Sequence, residues 1–212
     1  MQNESWKLCW TNDRRFRMQF IVTIFMLVGI GISINFFFLF IEARKGSHFP
    51  DPLLHLFKPF ELSPYTFLLI YSAIIFTLIR IAKQPRLLLN AMQALAVLML
   101  IRMLVLYLVP LEPPKTMIPL QDPFIEKLFY GRTRITKDLF FSGHVSILCL
   151  TIFFNPGYKI VMVVVTLIVG ALILLQHVHY SIDVLAAPLF AWLSYYLAKY
   201  PSDKNRGVGG GQ

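Results

Sequence analysis

The stretch MQFIVTIFMLVGIGISINFFFLFI, residues 18–41, contains no charged side chain. A helix needs about 20 mainly apolar residues to cross the hydrocarbon core of a bilayer, so this stretch is long enough to span it. It is too long for the apolar region of a signal peptide and lacks a clear cleavage site, so we expect a retained transmembrane helix. The whole chain has the same character, because 57% of its 212 residues are hydrophobic and 15% are aromatic. Such a composition is typical of an integral membrane protein.

Further apolar segments predict an all-α, polytopic membrane protein with six transmembrane helices in one domain. The other five predicted spans cover residues 62–79, 87–110, 142–155, 160–176 and 179–200. Asn155-Pro156-Gly157 predicts the turn that ends the fourth span. We therefore expect a tail over residues 1–17, a six-helix membrane domain over 18–200 and a flexible tail over 201–212.

The basic residues predict the orientation of these helices. The formal net charge is +9, and short basic clusters adjoin the apolar segments as RRFR at 14–17 and RIAKQPR at 80–86. This pattern is typical of cytoplasmic anchoring and argues against nucleic acid as a partner. Six spans place both termini on one side, and the excess of Lys and Arg predicts that this side is cytoplasmic. Cys9 and Cys149 lie in the predicted tail and in an apolar segment, which makes a disulfide improbable.

The stretch HVHYSID, residues 177–183, contains a candidate base and its orienting group. His179 and Asp183 are four residues apart, which in a helix brings them together on one face. The carboxylate would hold one imidazole nitrogen as N–H and leave the other as an oriented lone pair. The alternative is a pair that only caps the sixth helix at the interface. We interpret His177 as an interfacial residue on another helical face, with a third catalytic residue as the alternative. Tyr180 is interpreted as part of an aromatic belt, with a hydrogen-bond donor as the alternative.

The stretch DLFFSGHVS, residues 138–146, predicts an anion site where a loop meets the fourth helix. Ser142 is a favoured N-cap residue and Gly143 permits close approach of the backbone, while free N–H groups and the helix dipole favour an anion. A phosphate could lie there. We expect His144 to face it from the side opposite His179; the alternative is an ordinary capped helix with an interfacial histidine.

Three more residues belong to the predicted site. Arg102 interrupts the third span, where a charge is costly, so we expect it to reach a phosphate or a carboxylate, with snorkelling to the interface as the alternative. Asp138 is expected to bind a cationic head group or to position His144, unless it is only a loop charge. Tyr107 is a candidate hydrogen-bond donor, with the aromatic belt as the alternative. All these residues are predicted to lie at the non-cytoplasmic face.

Taken together, these motifs resemble the sphingomyelin synthase branch of the phosphatidic-acid-phosphatase type of membrane proteins. The resemblance extends from the third span to the sixth and is carried by Arg102-x4-Tyr107-x3-Leu111-x2-Pro114, Asp138-x3-Ser142-Gly143-His144 and His179-Tyr180-Ser181-x-Asp183-Val184. It implies that family's helical bundle over the catalytic domain 18–200. It also implies His144, His179 and Asp183 as catalytic residues and Arg102, Asp138, Ser142, Gly143 and Tyr107 as substrate-binding residues.

The resemblance implies a lipid phosphotransferase that needs no metal and no cofactor. A phospho-head group would move from a glycerophospholipid donor to the hydroxyl of a ceramide-type acceptor, with release of diacylglycerol. The head group would pass through a phosphohistidine at His179, and His144 would act first as acid and then as base. Head group, acceptor, membrane of residence and oligomeric state are not specified by the sequence.

Departures from the wider superfamily bear on the substrate. Its lipid phosphatases carry a Ser-Arg pair where this chain has Leu172-Ile173, and Lys-x6-Arg-Pro where Lys115 is followed by Asp122-Pro123. Two phosphate-binding arginines are thus absent, which suits a singly charged phosphodiester better than a monoester dianion. Within the synthase branch, Thr136-Lys137 replaces the usual Cys-Gly and Val145 replaces Thr, which leaves the substrate range open.

Two other functions remain as alternatives. The same histidines could hydrolyse a lipid phosphate or a phosphodiester if water is the acceptor, as in a lipid phosphatase or a phospholipase C-like enzyme. Intramembrane His, Asp and Arg could instead form an ion pathway in a small transporter. Such pathways usually lie near the bilayer midplane and within internal repeats, and neither feature is evident in this sequence.

Overall fold

The computed structural model describes residues 5–122 and 135–204, and most of these residues are helical. Seven α-helices follow in chain order: α1 Trp6–Asn12, α2 Arg14–Ala43, α3 Ser63–Ile81, α4 Pro85–Leu108, α5 Gly143–Phe154, α6 Lys159–Leu175 and α7 Ser181–Lys204. Short 3-10 turns cover Leu53–Leu56 and Pro156–Tyr158. The predicted all-α class is confirmed for the described residues. Residues 205–212 of the predicted tail over 201–212 lie outside them.

Within the described residues, five helical segments are long and apolar enough to cross a membrane. They are Arg14–Ala43, Ser63–Ile81, Pro85–Leu108, Pro156–Leu175 and Ser181–Lys199. The prediction of a multi-pass integral membrane protein is therefore supported by length and composition. The predicted fourth span differs, because α5 has only 12 residues. At 1.5 Å per residue it is about 18 Å long, shorter than a hydrocarbon core of about 30 Å.

The short helix α5 lies inside the bundle and packs against α3, α6 and α7. It is preceded by the non-helical residues 135–142, in which Leu139 and Phe141 are buried. At its other end, the Asn155 side chain donates a hydrogen bond of 2.8 Å to Thr77 in the last turns of α3. Pro156 cannot continue the helix, so α5 ends there. The chain thus enters α5 through irregular backbone, which is tolerated inside a bundle where it is buried in protein.

Close contacts between helices form the core around α5. Helix α5 packs against α6, α7 and α3, whereas α4 lies between α7 and α2. Small residues allow this approach, since Ala187 and Ala191 of α7 are fully buried. Helix α2 is peripheral and exposes large apolar side chains such as Phe25 and Phe36, which are 72% and 73% exposed. Such a surface suits a lipid environment.

The predicted N-terminal tail is not a tail in the structure. Residues 6–12 form α1, and α2 begins at Arg14 because the Asp13 side chain accepts a hydrogen bond of 2.9 Å from Phe16 N. Trp6 Nε1 donates to Ala82 O at 2.8 Å, which holds this segment against the turn between α3 and α4. At the other end of the chain, α7 extends to Lys204, beyond the predicted end at residue 200.

The contact between α6 and α7 generates a first prediction. A Cβ at Gly170 would lie 3.1 Å from Val184 Cγ1, whereas a Cβ at Gly29 in α2 would meet nothing within 4 Å. We expect Gly170→Leu to lower the free energy of unfolding in mixed micelles by about 1–3 kcal/mol through overpacking. The matched variant Gly29→Leu should change it by less than about 0.5 kcal/mol. Equal effects of the two variants would contradict the close α6–α7 contact.

Candidate active site

His179 and Asp183 form a buried pair at the start of α7. His179 Nδ1 lies 3.3 Å from Asp183 Oδ2, and the two side chains are 2% and 0% exposed. The same carboxylate oxygen accepts a hydrogen bond of 3.0 Å from Tyr180 N. Asp183 is the third residue of α7 and folds back over the helix start, like the acidic half of a capping box. It therefore caps the helix and orients the histidine, so the two readings proposed from the sequence are compatible.

The expected reason for this pair was wrong. His179 was predicted to stand one turn before Asp183 on a helical face, but α7 begins only at Ser181. His179 lies in the connection from α6, and the contact is made by a side chain that reaches back from the first turn. His177 lies in the same connection with a positive φ of 56°, so it is not on a helical face.

The Ser142-Gly143-His144 stretch joins this pair through the backbone. Ser142 N donates a hydrogen bond of 3.1 Å to the backbone oxygen of Asp183. Ser142 also acts as the predicted N-cap, because its side chain accepts a hydrogen bond from Val145 N. The start of α5 is thereby held against the start of α7.

His144 shares this region with the other candidate residues. Its ring lies 5.7 Å from the Phe67 ring in an edge-to-face contact. His179, Asp138 and Arg102 all lie close enough to act on it electrostatically. The Nδ1 atom of His144 and the Oδ1 atom of Asp183 are buried without a hydrogen-bond partner among the described residues. Buried polar atoms usually have partners, so such atoms mark places where a ligand can supply them.

Arg102 is buried beside the start of α5 and does not snorkel. It is 4% exposed, and Nη2 lies 2.6 Å from Asp138 Oδ1. Nη1 donates to the backbone oxygen of Phe141. The guanidinium lies so close to the backbone that a Cβ at Gly143 would be 2.9 Å from Arg102 Cζ. Gly143 therefore permits a close approach, as predicted, and here the approaching group is the arginine. Asp138 offsets the repulsion between this cation and the positive end of the α5 dipole.

Tyr107 does not join this group. Its side chain is 52% exposed, stacks on Phe40 with ring centroids 6.3 Å apart and lies under the Arg44 guanidinium at 5.0 Å. Five residues separate it from Arg102, which on a helix corresponds to about 140° of rotation. The structure thus brings together seven of the eight residues proposed from the sequence and places the eighth on the outer face of α4.

Loop residues that the sequence analysis did not select hold the start of α7. Asp51 lies between two prolines in the stretch FPDP, residues 49–52, and is 4% exposed. It accepts hydrogen bonds from Ser181 N at 2.5 Å and Leu53 N at 3.0 Å. Tyr180 is 3% exposed, and its hydroxyl donates to Glu112 O at 2.9 Å. The favoured interpretation of Tyr180 as an aromatic-belt residue was therefore wrong, and its alternative as a hydrogen-bond donor is confirmed. A carboxylate between two prolines was the available signal for Asp51.

A second group of contacts positions Asp138. Glu42 accepts hydrogen bonds from Thr136 N, Thr136 Oγ1 and Lys137 N at 2.9, 2.6 and 3.1 Å. Lys137 Nζ lies 2.9 Å from Glu112 Oε1. The two residues that depart from the Cys-Gly of the synthase branch are thus both bonded to glutamates. The hydrogen bond from Gly46 N and the nearby Lys137 lower the pKa of Glu112 from its usual value. Glu112 is therefore a carboxylate at neutral pH.

Metal ligation has no candidate cluster here. Within residues 5–122 and 135–204, no group of three or more His, Cys, Asp or Glu side chains is placed to hold a metal ion. The two cysteines are buried and unbridged. The expectation of a reaction without metal or cofactor stays a prediction.

Comparisons with known proteins do not assign a family. A scan against protein-family models, a search of curated proteins and a search of solved structures each find no match to this chain. The resemblance to sphingomyelin synthases therefore depends on the quoted motifs alone and stays a prediction.

The burial of Arg102 generates a second prediction. Arg102→Leu leaves Asp138 and the Phe141 carbonyl without their donor, and we expect it to lower the free energy of unfolding by about 3 kcal/mol. Arg102→Leu combined with Asp138→Asn should cost less than the sum of the single variants, because the pair is lost only once. Both effects are measured by reversible unfolding in mixed micelles.

The matched control is the exposed pair of Arg86 and Asp13. Its atoms are 2.9 Å apart, but its side chains are 42% and 27% exposed. Arg86→Leu should cost less than about 1 kcal/mol. A cost for Arg102→Leu as small as that of the control would mean that Arg102 is not buried in the pair described.

Proposed function

We propose that this protein is an integral membrane phosphotransferase that moves a phospho-head group from a glycerophospholipid to the hydroxyl of a ceramide-type lipid. One observation carries the proposal. The buried His179–Asp183 pair is hydrogen-bonded through Asp183 O to Ser142 N at the start of the helix that bears His144. Two histidines, one of them oriented by a carboxylate, therefore share a region with Arg102 and with an anion-receptive helix start.

The first half of the reaction uses both histidines. With Nδ1–H donated to Asp183, His179 presents Nε2 as the nucleophile toward the phosphorus of the donor lipid. A nitrogen–phosphorus bond forms while the bond from phosphorus to the diacylglycerol oxygen breaks. His144 gives its proton to that leaving oxygen. The products are diacylglycerol and a phosphohistidine that carries the head group.

The second half reverses these roles. His144 now accepts the proton of the acceptor hydroxyl, whose oxygen attacks phosphorus and displaces His179. Head-group transfer is complete, and both histidines return to their starting protonation states. Water in place of the lipid hydroxyl would make the same site a hydrolase.

The charges of the site favour a phosphodiester donor. Arg102 carries one positive charge, and Asp138 at 2.6 Å already offsets it. Asp183 adds a second negative charge at the His179 side of the site. Little positive charge remains for a monoester dianion, whereas a phosphodiester brings only one negative charge. The donor that fits is therefore a glycerophospholipid with a substituted phosphate rather than phosphatidic acid.

The number of crossings and the basic residues at one end of the bundle give the orientation in the membrane. The extended segment before α5 and α5 itself supply a sixth crossing, as the six-helix bundle of the synthase branch requires. The basic clusters near Asp13, Arg86 and Arg80 gather at the end opposite the histidines, since Arg86 pairs with Asp13 and α1 contacts the α3–α4 turn. The positive-inside rule then makes that end, with both termini, cytoplasmic. The active site faces the opposite side.

Product analysis of the wild-type protein tests the reaction class. Purified protein in mixed micelles receives labelled ceramide with phosphatidylethanolamine, phosphatidylcholine and phosphatidic acid, and all products are resolved by mass. We expect a phospho-head-group ceramide with stoichiometric diacylglycerol. Free phosphate, or a released phospho-head group without labelled ceramide product, would instead make water the acceptor and the protein a hydrolase.

Variants of the histidine pair test the residue roles. We expect His144→Ala and His179→Ala each to abolish turnover, because one removes the acid and base and the other the nucleophile. Asp183→Asn should reduce kcat by about 10²-fold or more, since the amide no longer favours the required histidine tautomer. Turnover is measured alongside thermal unfolding, so that loss of folding is distinguished from loss of chemistry.

Asp13→Asn is the matched control for Asp183→Asn. Asp13 also accepts a backbone hydrogen bond at a helix start, from Phe16 N at 2.9 Å, but it lies at the far end of the bundle without a histidine. We expect this variant to retain activity. Full activity in His144→Ala and His179→Ala would contradict the proposed mechanism.

A further inference from the structure

A pocket of about 470 Å³ lies beside the candidate active site and has no role in the proposed reaction. Its walls come from the loop after α2, from residues 114–116 and from the connection between α6 and α7. His144, His179, Arg102 and Asp183 do not line it. Its volume is in the range of small-molecule sites, about 300–1,000 Å³. The pocket is therefore a separate candidate site.

Basic groups outnumber acidic ones among the ionisable side chains of the lining. They are Lys58, Lys115, His48, His55 and His177, against the single carboxylate of Asp51. Both oxygens of that carboxylate already accept backbone hydrogen bonds, from Leu53 N and Ser181 N. The ionisable part of the lining thus offers mainly donors and positive charge, which suits an anion.

His177 is the buried polar element of the pocket. It is 2% exposed, its Nδ1 lies 2.6 Å from Thr116 Oγ1, and its Nε2 has no hydrogen-bond partner of normal geometry among the described residues. Burial lowers the pKa of His177 from its usual value, while the nearby Phe57 backbone has the opposite, smaller effect. The left-handed backbone of this residue costs about 1 kcal/mol or more, and such strain tends to occur at functional sites.

The rest of the lining is apolar. Phe49, Leu54 and Phe57 form part of the wall, and Phe57 lies edge to face with the His177 ring at 5.3 Å. Lys58 and Lys115 are exposed, whereas Leu54 and His177 are buried. A ligand with an anionic group and a short carbon skeleton would satisfy both parts of the lining.

We propose that this pocket is a binding site for an organic phosphate, with the phosphate held by Lys58 and Lys115 and the carbon skeleton packed against the three apolar side chains. A phospholipid head group and a free phosphate compound share this chemistry. The inference does not depend on the transferase reaction, because the pocket contains none of its residues. Tyr180 and Asp51 line the pocket and also hold the start of α7, so the two sites share a wall.

Direct binding measurements test the proposal. Purified wild-type protein in mixed micelles is titrated by calorimetry with inorganic phosphate, glycerol 3-phosphate and dihexanoyl phosphatidylglycerol. We expect saturable binding of at least one of the two organic phosphates. Glycerol 3-phosphate binding alone would identify a free compound as the source, and phosphatidylglycerol binding alone a lipid head group. No saturable binding of either organic phosphate would overturn the proposal.

Charge-matched variants locate the binding. Lys58→Ala with Lys115→Ala should weaken binding by about tenfold or more, because two charge-assisted contacts are lost. Lys45→Ala with Lys83→Ala removes the same charge outside the pocket and should leave binding unchanged at physiological salt. Equal weakening in both double variants would show nonspecific attraction and overturn the site.

The His179→Ala variant separates this inference from the proposed function. Binding to the pocket should persist in it, whatever its effect on turnover. Loss of binding in His179→Ala, with the Lys58 and Lys115 double variant unaffected, would place the phosphate at the histidine pair and overturn the separate site.

Discussion

Asp183 makes the interaction on which the rest of the site depends. Its backbone oxygen accepts a hydrogen bond from Ser142 N, and its carboxylate accepts one from Tyr180 N and faces His179 Nδ1. One fully buried residue thus joins the start of α5, the start of α7 and the histidine proposed as nucleophile. A buried carboxylate is costly unless it is paired and hydrogen-bonded. The need to satisfy it holds these three elements in one arrangement.

Arg102 supplies hydrogen-bond donors to the segment that precedes α5. The chain enters the bundle as an extended segment, and its backbone carbonyls need donors that a helix would have supplied. Arg102 donates to the Phe141 carbonyl and pairs with Asp138, and Gly143 leaves room for the guanidinium. The helix α5 can therefore be short and begin below the surface of the bundle. As a consequence, His144 lies in its first turn within the influence of His179 rather than at an exposed helix end.

The loops connect these elements at the same end of the bundle. Asp51 binds the Ser181 N–H, Tyr180 donates to Glu112 O, and Glu42 holds the residues that precede Asp138. Side chains from the end of α2 and from two connections therefore hold the segments around the histidines. The 470 Å³ pocket, which is lined by His177, shares Asp51 and Tyr180 with this group of contacts. The positions of His179 and of the pocket are thus set by one network of partly buried hydrogen bonds.

The sequence by itself determined the membrane class, most helices and the grouping of His144, His179, Asp183 and Arg102. In lipid, the backbone N–H and C=O groups of a long apolar segment need internal hydrogen bonds, which a helix provides. Charged side chains in such segments are costly to bury unless they have partners. Only the tertiary structure decided that α5 is 12 residues long, that Asp183 reaches back to His179 from the first turn, and that Tyr107 points away. Asp51, Glu42 and Tyr180 could not be assigned from local patterns. Their partners lie 130, 94 and 68 residues away in the chain, so these contacts form only when segments that are distant in sequence pack together.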